Sequence, residues 1–305
     1  MRVAYLVQSH AHPALLARLV RTLRAGSDGT ILVVHDASRA RLDESILAGT
    51  GARVVQRTTP VLRGDFSMLD PYLEGAARLL ADGDRFDWLV YLSGQDYPVR
   101  PVPAIEAGLA ASAFDGYLAH WDVEAPGSPW PPQRAHRRYR YQYLRLPSAF
   151  APPLALLHPL EAVTPLHCYR TYGALVGWPA RRPPFSATFR CYGTWMWQSL
   201  RRPCVEVLLE VLATNRSLVA YYRRTVVPDE SFVATVLVNS GRFRLANDNR
   251  RFADTAEQPG GHARALGTDD FERLTDGSFD FARKVEPGKS DELLDALDRR
   301  VHGGV

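Results

Sequence analysis

The chain has 305 residues, of which 46% are hydrophobic and 23% are charged, as in an ordinary globular protein with a large core. No apolar run approaches the ~20 residues that a membrane-spanning helix needs, and polar residues interrupt the N-terminal strand too early for a secretion signal. Three cysteines are too few for a disulfide framework or a zinc site. These features argue against a membrane-spanning or disulfide-stapled protein and predict a cytoplasmic one.

A formal net charge of +4 attracts anions in general, and both nucleotide sugars and nucleic acids are anionic. Lys284 and Lys289 are the only lysines among 37 Lys and Arg residues, and this strong preference for arginine indicates a GC-rich genome. Composition alone therefore does not choose between an enzyme that uses nucleotide sugars and a nucleic-acid-binding protein.

The N-terminal segment predicts a strand, a helix and a second strand. Val3–Val7 is predominantly apolar, an amphipathic helix covers Pro13–Gly26, and Ile31–His35 is apolar again. A strand, a helix and a strand in this order form a parallel pair with a right-handed crossover. We therefore expect the beginning of an open α/β sheet.

A third strand ends in a candidate ligand-binding loop. The apolar spacing between Phe66 and Leu80 predicts a helix, which leads into the buried strand Trp88–Leu92. Gly94 then allows the backbone to turn, and Asp96 follows beyond the carboxyl end of the strand, where open α/β sheets bind ligands. An ordinary strand-to-loop transition is the alternative explanation for the same residues.

The second half of the chain is less regular. Asp122–Pro183 is rich in proline and predicts long loops over the sheet that contact substrate. Beyond them, Trp195–Leu212, Glu230–Leu237 and Asp291–Val301 have helical patterns. Within the loops, Gln133–Arg145 interleaves arginine with tyrosine, which suits single-stranded nucleic acid, an acidic or aromatic acceptor, or a solvated strand with one basic face.

Four segments carry a family resemblance. They are the N-terminal VAYLVQSHAHPALLARLVRTL with ILVVHDAS, the strand end FDWLVYLSGQDYPVRP, VVPDESF at Val226–Phe232, and FARK at Phe281–Lys284. In this order they resemble the core-2/I-branching glycosyltransferase family, glycosyltransferase family 14, which also contains protein xylosyltransferases. The resemblance runs from Val3 to about Leu297 and implies an α/β fold: a GT-A type nucleotide-sugar-binding domain with a mixed, mainly parallel central sheet flanked by helices.

The resemblance also implies how the chain is organised. We expect a single domain over residues 1–305, in which 1–121 form the nucleotide-binding half, 122–187 the variable acceptor loops, and 188–305 the catalytic and diphosphate-binding half. Eukaryotic relatives are mostly Golgi membrane proteins with disulfides, and this sequence departs from them on both counts. It is therefore expected to be a free-standing bacterial, cytoplasmic member.

Three residues near the first two strands are nucleotide-binding candidates. Asp36 directly follows the apolar part of the second strand, where an acid can accept hydrogen bonds from a ribose or uracil, although an aspartate that caps a turn fits equally well. The resemblance implies that Asp36 contacts the uridine. It assigns His10 and Val7, on the first strand, to the same nucleotide.

The third strand end offers one acid where many GT-A enzymes have an Asp-x-Asp metal motif. Asp96 has no second acid two residues away, and the only Asp-x-Asp of the sequence, Asp82-Gly83-Asp84, precedes the strand and is expected to be a solvated turn at the opposite end of the sheet. The resemblance implies metal independence. We therefore expect no metal and no cofactor, with the UDP-sugar as a substrate.

Without a metal, the leaving diphosphate needs positively charged side chains, because its negative charge grows as the glycosidic bond breaks. The resemblance implies that Lys284 and its neighbour Arg283 bind the diphosphate, whereas a plain surface lysine is the alternative for Lys284. A second family cation, upstream of Asp270, matches Arg264, with His262 as the competing choice.

Glu230 is the candidate general base. It follows Asp229 at a predicted helix start, where the helix dipole keeps a carboxylate ionised, and a helix-start preference alone would explain it. The resemblance implies that this glutamate is the general base of the family. An inverting transfer needs one such base to take the proton from the acceptor hydroxyl.

The sugar pocket is assigned by the same resemblance. Gly193, Thr194 and Trp197 match a segment of small and aromatic residues that lines this pocket in the family, although helical tryptophans are mostly core residues. Asp96 and Asp229 are the remaining candidates for contacts with the donor sugar or the acceptor.

These inferences together predict an inverting, metal-independent glycosyltransferase. It would move N-acetylglucosamine from a UDP-sugar to a hydroxyl of a glycan, glycolipid or small-molecule acceptor, with no nucleic-acid partner. Transfer of xylose from UDP-xylose is the alternative within the family. A non-catalytic protein that binds nucleotide sugars or nucleic acids through Gln133–Arg145 is the alternative from another class, and it leaves Glu230 and Lys284 unexplained.

Overall fold

The computed structural model describes residues 1–154, 161, 163–255 and 263–303. The strands are β1 (Val3–Ser9), β2 (Thr30–Asp36), β3 (Arg53–Arg57), β4 (Trp88–Ser93), β5 (Asp96–Pro98), β6 (Gly116–Tyr117), β7 (His120–Asp122), β8 (Tyr141–Arg145), β9 (His167–Tyr169), β10 (Leu175–Pro179), β11 (Tyr192–Thr194), β12 (Ser199–Arg201), β13 (Leu245–Ala246), β14 (Arg251–Ala253) and β15 (Phe281–Arg283). The α-helices are α1 (Pro13–Gly26), α2 (Asp70–Ala81), α3 (Val102–Ala110), α4 (Pro132–Tyr139), α5 (Ala151–Leu154), α6 (Arg202–Thr214), α7 (Arg216–Tyr222), α8 (Phe232–Ser240), α9 (Phe271–Leu274) and α10 (Asp291–His302).

A seven-stranded mixed sheet has the order β13-β6-β12-β4-β1-β2-β3. Strand β1 pairs in parallel with β2 and β4, β2 with β3, and β6 with β13, whereas β12 runs antiparallel to β4 and β6. Parallel neighbours need crossover connections, which α1 supplies between β1 and β2, and α2 leads the chain from β3 at the sheet edge back to β4 on the other side of β1. The prediction of a mixed, mainly parallel sheet flanked by helices is confirmed.

Alternation along β1 sends its side chains into two separate cores. Ala4 and Leu6 pack with apolar residues of α2, α6 and α8, whereas Tyr5 and Val7 pack with apolar residues of α1, α3 and α10. All four side chains are fully buried. The run of consecutive apolar residues is therefore explained by a strand that is covered on both faces.

The predicted helix over Trp195–Leu212 is wrong in its first part. Ser199–Arg201 form β12, which lies between β4 and β6, and α6 begins only at Arg202. The helical interpretation therefore missed the strand that extends the sheet beyond β4.

The helix predicted at Glu230–Leu237 also begins later. Pro228–Glu230 form a single 3-10 turn, and α8 begins at Phe232. Glu230 therefore precedes α8 instead of lying in its first turn, and the helix-dipole argument made from the sequence loses its geometric basis. The helix predicted from Phe66 likewise begins at Asp70, after a short 3-10 turn.

The proline-rich stretch Asp122–Pro183 is more regular than predicted. It contains α4, α5 and the antiparallel sheet β8-β10-β9. Gln133–Arg145 is thus a helix followed by a strand, and not one solvated strand. Tyr139, at the end of α4, is buried in the main core, and Tyr143 of β8 is buried because alternate residues of a strand point to opposite faces and one face of this sheet is covered.

Two smaller sheets contain candidate site residues. Strand β5 pairs antiparallel with β15, which places Asp96 opposite Arg283, and β14 pairs with the other edge of β15. Strand β11 pairs with β7, which places Gly193 opposite Trp121. Among the described residues, no helix combines the length and the apolar character needed to cross a bilayer.

Candidate functional site

The carboxyl ends of β1, β2 and β4 meet at one edge of the central sheet, because the three strands are parallel neighbours. Asp36 ends β2, His10 follows β1, and the loop to Asp96 follows β4. Burial lowers the pKa of His10, against the opposing charge of Asp36. His10 and Asp36 are thus neighbours at the edge where the sequence predicted ligand binding.

Asp36 is hydrogen bonded within its surroundings. Its carboxylate accepts bonds from the backbone N–H groups of Ser38 at 3.0 Å and Val61 at 3.3 Å. Burial raises the pKa of Asp36, but these hydrogen bonds and the charge of Arg57 outweigh burial, so the pKa is lowered overall. The turn-capping role that the sequence left open is therefore present, and the carboxylate is ionised at neutral pH.

Val7 is the nucleotide-binding candidate whose side chain lies away from this edge. It sits within β1, with Val33 of β2 on one side and Leu92 of β4 on the other. Its side chain is fully buried in the core under α1. It therefore presents no surface to a nucleotide.

Asp96 and Arg283 face each other across β5 and β15. Asp96 is 1% exposed and accepts hydrogen bonds from the backbone N–H and the hydroxyl of Ser93, both at 2.8 Å. The Arg283 Nε atom lies 3.6 Å from an Asp96 carboxylate oxygen, and the Arg283 guanidinium carbon lies 4.5 Å from the centre of the Trp197 ring. Asp96 therefore fixes the loop and Arg283, and has little surface left for a sugar.

Lys284 follows β15 and lies beside the loop after β4. The Val285 N–H donates to the Gln95 carbonyl at 2.9 Å, which ties the two segments together. The Lys284 Nζ atom lies 2.5 Å from a carboxylate oxygen of Glu286. A diphosphate that bound this ammonium group would therefore have to displace Glu286.

Arg264, the second candidate cation, is held by two acids. It forms a bidentate salt bridge with Asp270, with hydrogen bonds of 2.9 and 2.5 Å, and one hydrogen bond of 2.8 Å with Asp254. The Leu266 N–H donates to the Lys284 carbonyl at 2.9 Å. The segment that carries Arg264 therefore runs next to Lys284, as a shared diphosphate site requires.

Glu230 is held by Arg138, which the sequence analysis did not single out. An Arg138 Nη1–H group donates to Glu230 Oε2 at 2.7 Å. The Arg138 side chain is 9% exposed and that of Glu230 is 28% exposed. The Arg138 guanidinium carbon also lies 4.8 Å from the centre of the Trp130 ring. One carboxylate oxygen is thus fixed by a buried cation, while the rest of the group is open to solvent.

The turn before Glu230 is fixed by several contacts. Val227 has a left-handed conformation with a φ of 58°, which is strained for a β-branched residue. Its N–H donates to the Gly64 carbonyl at 2.9 Å, and its carbonyl accepts from the Tyr139 hydroxyl at 2.9 Å and from the Glu230 N–H at 3.2 Å. These contacts over-determine the turn that presents Glu230.

Asp229 lies buried beside Glu230. It is 7% exposed, and its Oδ1 atom has no hydrogen-bond partner among the described residues. Burial and the charge of Glu230 raise the pKa of Asp229 to about 7, against smaller opposing effects of Arg138 and Arg63. The two acids are thus a coupled pair, in which burial and the neighbouring carboxylate favour the protonated form of Asp229.

A buried cluster of hydroxyl groups anchors the residues after the candidate base. The Tyr222 hydroxyl lies 2.9 Å from the hydroxyls of both Ser231 and Thr235. The Thr235 hydroxyl accepts from the Tyr192 N–H at 3.0 Å. Ser231 directly follows the candidate base and Tyr192 begins β11, so the cluster joins that base to the strand assigned to the sugar pocket.

Strand β11 packs tightly against β7. A side chain at Gly193 would place its first carbon 2.5 Å from the Trp121 ring nitrogen, so only glycine fits there. Thr194 is fully buried, and its hydroxyl donates to the Ala119 carbonyl at 2.6 Å. Both candidate residues therefore hold the strand in place, whereas Trp195, just after it, is 40% exposed.

Trp197 and Tyr91 connect the two groups of candidate residues. Their ring centres are 4.8 Å apart, and the Tyr91 hydroxyl donates to the Gln8 side-chain oxygen. Burial raises the pKa of Tyr91, and the charges of Asp229 and Asp96 add to that effect. Tyr91 is thus within electrostatic range of both acids, which brings their segments to one site, although Trp197 itself is 9% exposed and largely a core residue.

The Asp-x-Asp turn lies away from this edge. Asp82 and Asp84 precede β4 and pair with Arg53, at 3.0 Å for Asp82. Among the described residues there is no group of three or more histidine, cysteine and acidic side chains that could hold a metal ion. His262, the alternative to Arg264, lies outside the described residues.

A sheet edge that gathers a partly exposed carboxylate and several cations is typical of enzymes that transfer groups from nucleotides. The chain belongs to the Core-2/I-Branching enzyme family, whose family model matches residues 3–275. It is therefore a glycosyltransferase, and the resemblance found in the sequence is confirmed.

Two relatives are Beta-glucuronosyltransferase GlcAT14B and Beta-glucuronosyltransferase GlcAT14A, both from Arabidopsis thaliana. The chain is 25% identical to the first, and the alignment covers 100% of this chain and 68% of the relative. It is 24% identical to the second, and that alignment covers 76% of this chain and 46% of the relative. The chain thus corresponds to about two thirds of one relative and to less than half of the other.

Two solved structures have a remote similarity to the chain. Mouse xyloside xylosyltransferase 1, in its apo form, gives a TM-score of 0.39 at 10% identity and covers 92% of this chain and 97% of its own. A 4-diphosphocytidyl-2C-methyl-D-erythritol synthase gives a TM-score of 0.39 at 10% identity, and the match covers 90% of this chain and 96% of the synthase. At these TM-scores, neither structure adds to the fold description given by the strand order of the central sheet.

Proposed function

We propose that this glycosyltransferase moves a sugar from a UDP-sugar to an acceptor hydroxyl, with inversion at the anomeric carbon and without a metal ion. The observation that carries the proposal is the Glu230 carboxylate, which is 28% exposed, bonded to the buried Arg138 at 2.7 Å, and supported by an over-determined turn. A single displacement step requires one general base at the acceptor and positive charge at the leaving group.

In this mechanism Glu230 takes the proton of the acceptor hydroxyl as its oxygen attacks the anomeric carbon. Arg138 binds Oε2 and keeps the carboxylate in position, so Oε1 is the atom that accepts the proton. The bond from the anomeric carbon to the diphosphate oxygen breaks, and the diphosphate leaves with the electron pair. The partial exposure of Glu230 then allows the proton to pass to solvent.

The departing diphosphate needs positive charge, which we assign to Lys284, Arg283 and Arg264. Lys284 and Arg264 are paired with acids in this structure. A diphosphate is a stronger acceptor of charged hydrogen bonds than one carboxylate, so it can replace these acids on binding. The proposal of metal independence rests on this group of cations.

We assign the nucleotide to Asp36 and His10, and the donor sugar to the pocket beside Trp197. Asp36 keeps acceptor capacity beyond the two bonds that it makes in its loop, since an ionised carboxylate has about four lone-pair sites. Gly193 and Thr194 contribute by holding β11 against β7 rather than by offering exposed groups.

N-acetylglucosamine is the donor sugar that we propose, with xylose as the alternative. Glucuronic acid is a further candidate, because both relatives from Arabidopsis thaliana are named as glucuronosyltransferases. The carboxylate of that sugar would need a cation in the pocket. Arg283, stacked 4.5 Å from the Trp197 ring centre, is the side chain suited to this contact.

Release of UDP from UDP-N-acetylglucosamine, UDP-xylose and UDP-glucuronic acid tests the proposal. We expect slow hydrolysis of one donor without added acceptor, and its loss in Glu230→Gln. Unchanged hydrolysis in that variant would reject Glu230 as the base. Strongly salt-dependent oligonucleotide binding without UDP release from any donor would instead support the non-catalytic alternative.

A further inference from the structure

The positive charge of the chain is concentrated in one stretch. Residues 132–182 contain eight arginines, one glutamate, and no lysine or aspartate, whereas the rest of the chain contains 29 basic and 32 acidic residues. This stretch includes α4 and the β8-β10-β9 sheet. A chain with a modest net charge therefore carries one strongly basic region.

Several arginines in and beside this region have no acidic partner among the described residues. Arg137, Arg181, Arg182 and Arg224 are exposed, and none of them forms an ion pair within the part of the chain that the structure describes. The Arg224 carbonyl accepts a hydrogen bond from the Tyr143 N–H at 2.7 Å, so this arginine lies along the edge of β8. Unpaired arginines on a folded surface favour an anionic partner.

The outer face of the same sheet exposes apolar side chains. In the antiparallel pair of β8 and β10, Leu144 lies opposite Val176 and Gln142 lies opposite Trp178, so these four side chains share one face. Leu144 is 52% exposed and Trp178 is 36% exposed. Among the described residues, five of the eight exposed large hydrophobic side chains fall between Leu144 and Trp178, so the exposure is concentrated here rather than scattered.

Basic and apolar groups are in contact on this face. The Arg224 guanidinium carbon lies 5.6 Å from the centre of the Trp178 ring. Arg181 and Arg182 follow Ala180 after the end of β10, and Leu144 is on the neighbouring strand. We call Leu144, Trp178 and Arg224, together with Arg181 and Arg182 just beyond the end of β10, the outer sheet face.

The inner face of this sheet supports the candidate base. Tyr143 and Leu175 pack with Val226 and Val227, and the turn at Val227 leads directly to Glu230. Strand alternation thus sends one set of side chains toward the active site and the other set to solvent. The outer sheet face is therefore joined to the turn that carries Glu230 without being part of it.

We propose that the outer sheet face docks on a lipid bilayer that contains anionic head groups. An interfacial tryptophan and leucine are stabilised by entry into the head-group region, and arginines beside them are stabilised by anionic lipid. The proposal goes beyond the function proposed above, and it does not depend on which sugar the donor carries.

A soluble polyanion would explain the arginines alone. Binding of single-stranded RNA relies on several exposed aromatic rings that stack on successive bases, but Tyr139 and Tyr143 are buried and Trp178 is the single aromatic ring of the outer sheet face. A bilayer presents negative charge next to an apolar layer, and this combination matches both features of the outer sheet face.

Vesicle co-sedimentation with the full chain tests the proposal. We expect binding to vesicles of phosphatidylglycerol mixed with phosphatidylcholine, and little binding to phosphatidylcholine alone. Arg181→Ala/Arg182→Ala should bind about 30-fold more weakly, because each arginine near an anionic surface contributes about fivefold. Trp178→Ala should bind on the order of tenfold more weakly, because it loses apolar area that enters the interface.

Matched variants separate this surface from general effects of charge and aromatic content. Arg216→Ala/Arg299→Ala removes the same charge from other exposed positions, and Trp195→Ala removes a similarly exposed tryptophan. Both should bind vesicles like the wild type. All four variants change exposed side chains, so thermal unfolding followed by circular dichroism should remain close to that of the wild type.

Three outcomes would overturn the proposal. The first is equal binding to charged and neutral vesicles, and the second is equal loss of binding in the test and control variants. The third is an RNA oligonucleotide that binds through Arg181 and Arg182, is unaffected by Trp178→Ala, and binds where vesicles do not. That result would replace the bilayer by a nucleic acid.

Discussion

Replacing Asp229 with asparagine should change how the stability of the protein depends on pH. Asp229 is 7% exposed, and burial together with the charge of Glu230 raises its pKa from 3.8 to about 7. A group whose pKa is higher in the folded than in the unfolded protein stabilises the folded state at pH values below its unfolded pKa. This stabilisation is lost as the pH rises through the folded pKa. The wild type should therefore lose stability between about pH 4 and pH 7.

The size of this loss follows from the shift. About three pKa units at about 1.4 kcal/mol per unit give about 4 kcal/mol. Coupling with Glu230 spreads the titration over both acids, which makes this figure an upper value. Asparagine is uncharged throughout, so Asp229→Asn should gain about 2–4 kcal/mol in free energy of unfolding, relative to the wild type, as the pH rises over this range.

Urea unfolding at several pH values between about 4 and 8 measures the difference. Asp269→Asn is the matched control, because Asp269 is exposed and undergoes the same chemical change. Its free energy of unfolding should follow that of the wild type at every pH. A constant difference between Asp229→Asn and the wild type across the whole range would refute the reasoning about Asp229.

Three further predictions concern the proposed chemistry. UDP release should persist in excess EDTA, and its abolition with rescue by Mn²⁺ would contradict metal independence. Lys284→Ala should lower turnover by about 10²–10³ and Lys284→Arg should restore it only in part, because the guanidinium is larger and planar. Lys289→Ala is its control, since Lys289 is 69% exposed and bonds to the same Glu286 at 2.9 Å, and equal losses in both variants would remove Lys284 from the site. Arg138→Ala should lower stability by on the order of 3 kcal/mol, because it breaks a pair with a buried cation, and should also slow UDP release; Arg134→Ala, at an exposed position of the same helix, should do neither.

The central strands and the first helix could be predicted from local patterns. The runs at β1, β2 and β4 are apolar at consecutive positions because helices cover both faces of the sheet. Asp36 and Asp96 could be assigned to one edge because Asp36 directly follows one such run and Asp96 lies in the turn after another. What the sequence did not indicate is how much of each carboxylate is already used by loop hydrogen bonds.

Contacts between distant segments could not be predicted in the same way. Arg138 and Glu230 are 92 residues apart in sequence, and nothing in the arginine and tyrosine pattern distinguishes Arg138 from its exposed neighbour Arg137. The distinction arises only in the folded chain, where the Arg138 side chain lies against Glu230 and the Trp130 ring while Arg137 stays exposed. A buried ion pair of this kind depends on tertiary structure that a local pattern does not encode.

Short strands could not be predicted from local sequence either. Ser199–Arg201 is a strand because β4 and β6 lie on either side of it, and its three residues carry no period of their own. The same holds for Phe281–Arg283, whose position opposite Asp96 follows from pairing with β5. Family resemblance singled out Phe281–Arg283 but not Ser199–Arg201, and the geometry of both strands comes from pairing partners elsewhere in the chain.

The measurement that tests the central claim most directly is UDP release by Glu230→Gln at saturating donor, with donor binding measured in parallel by calorimetry. Glutamine is nearly isosteric and keeps an oxygen that can accept the hydrogen bond from Arg138, so the variant should fold and bind the donor like the wild type. Loss of the base should lower the rate by about 10²–10⁴. A near-normal rate in the correctly folded variant would contradict the role proposed for Glu230.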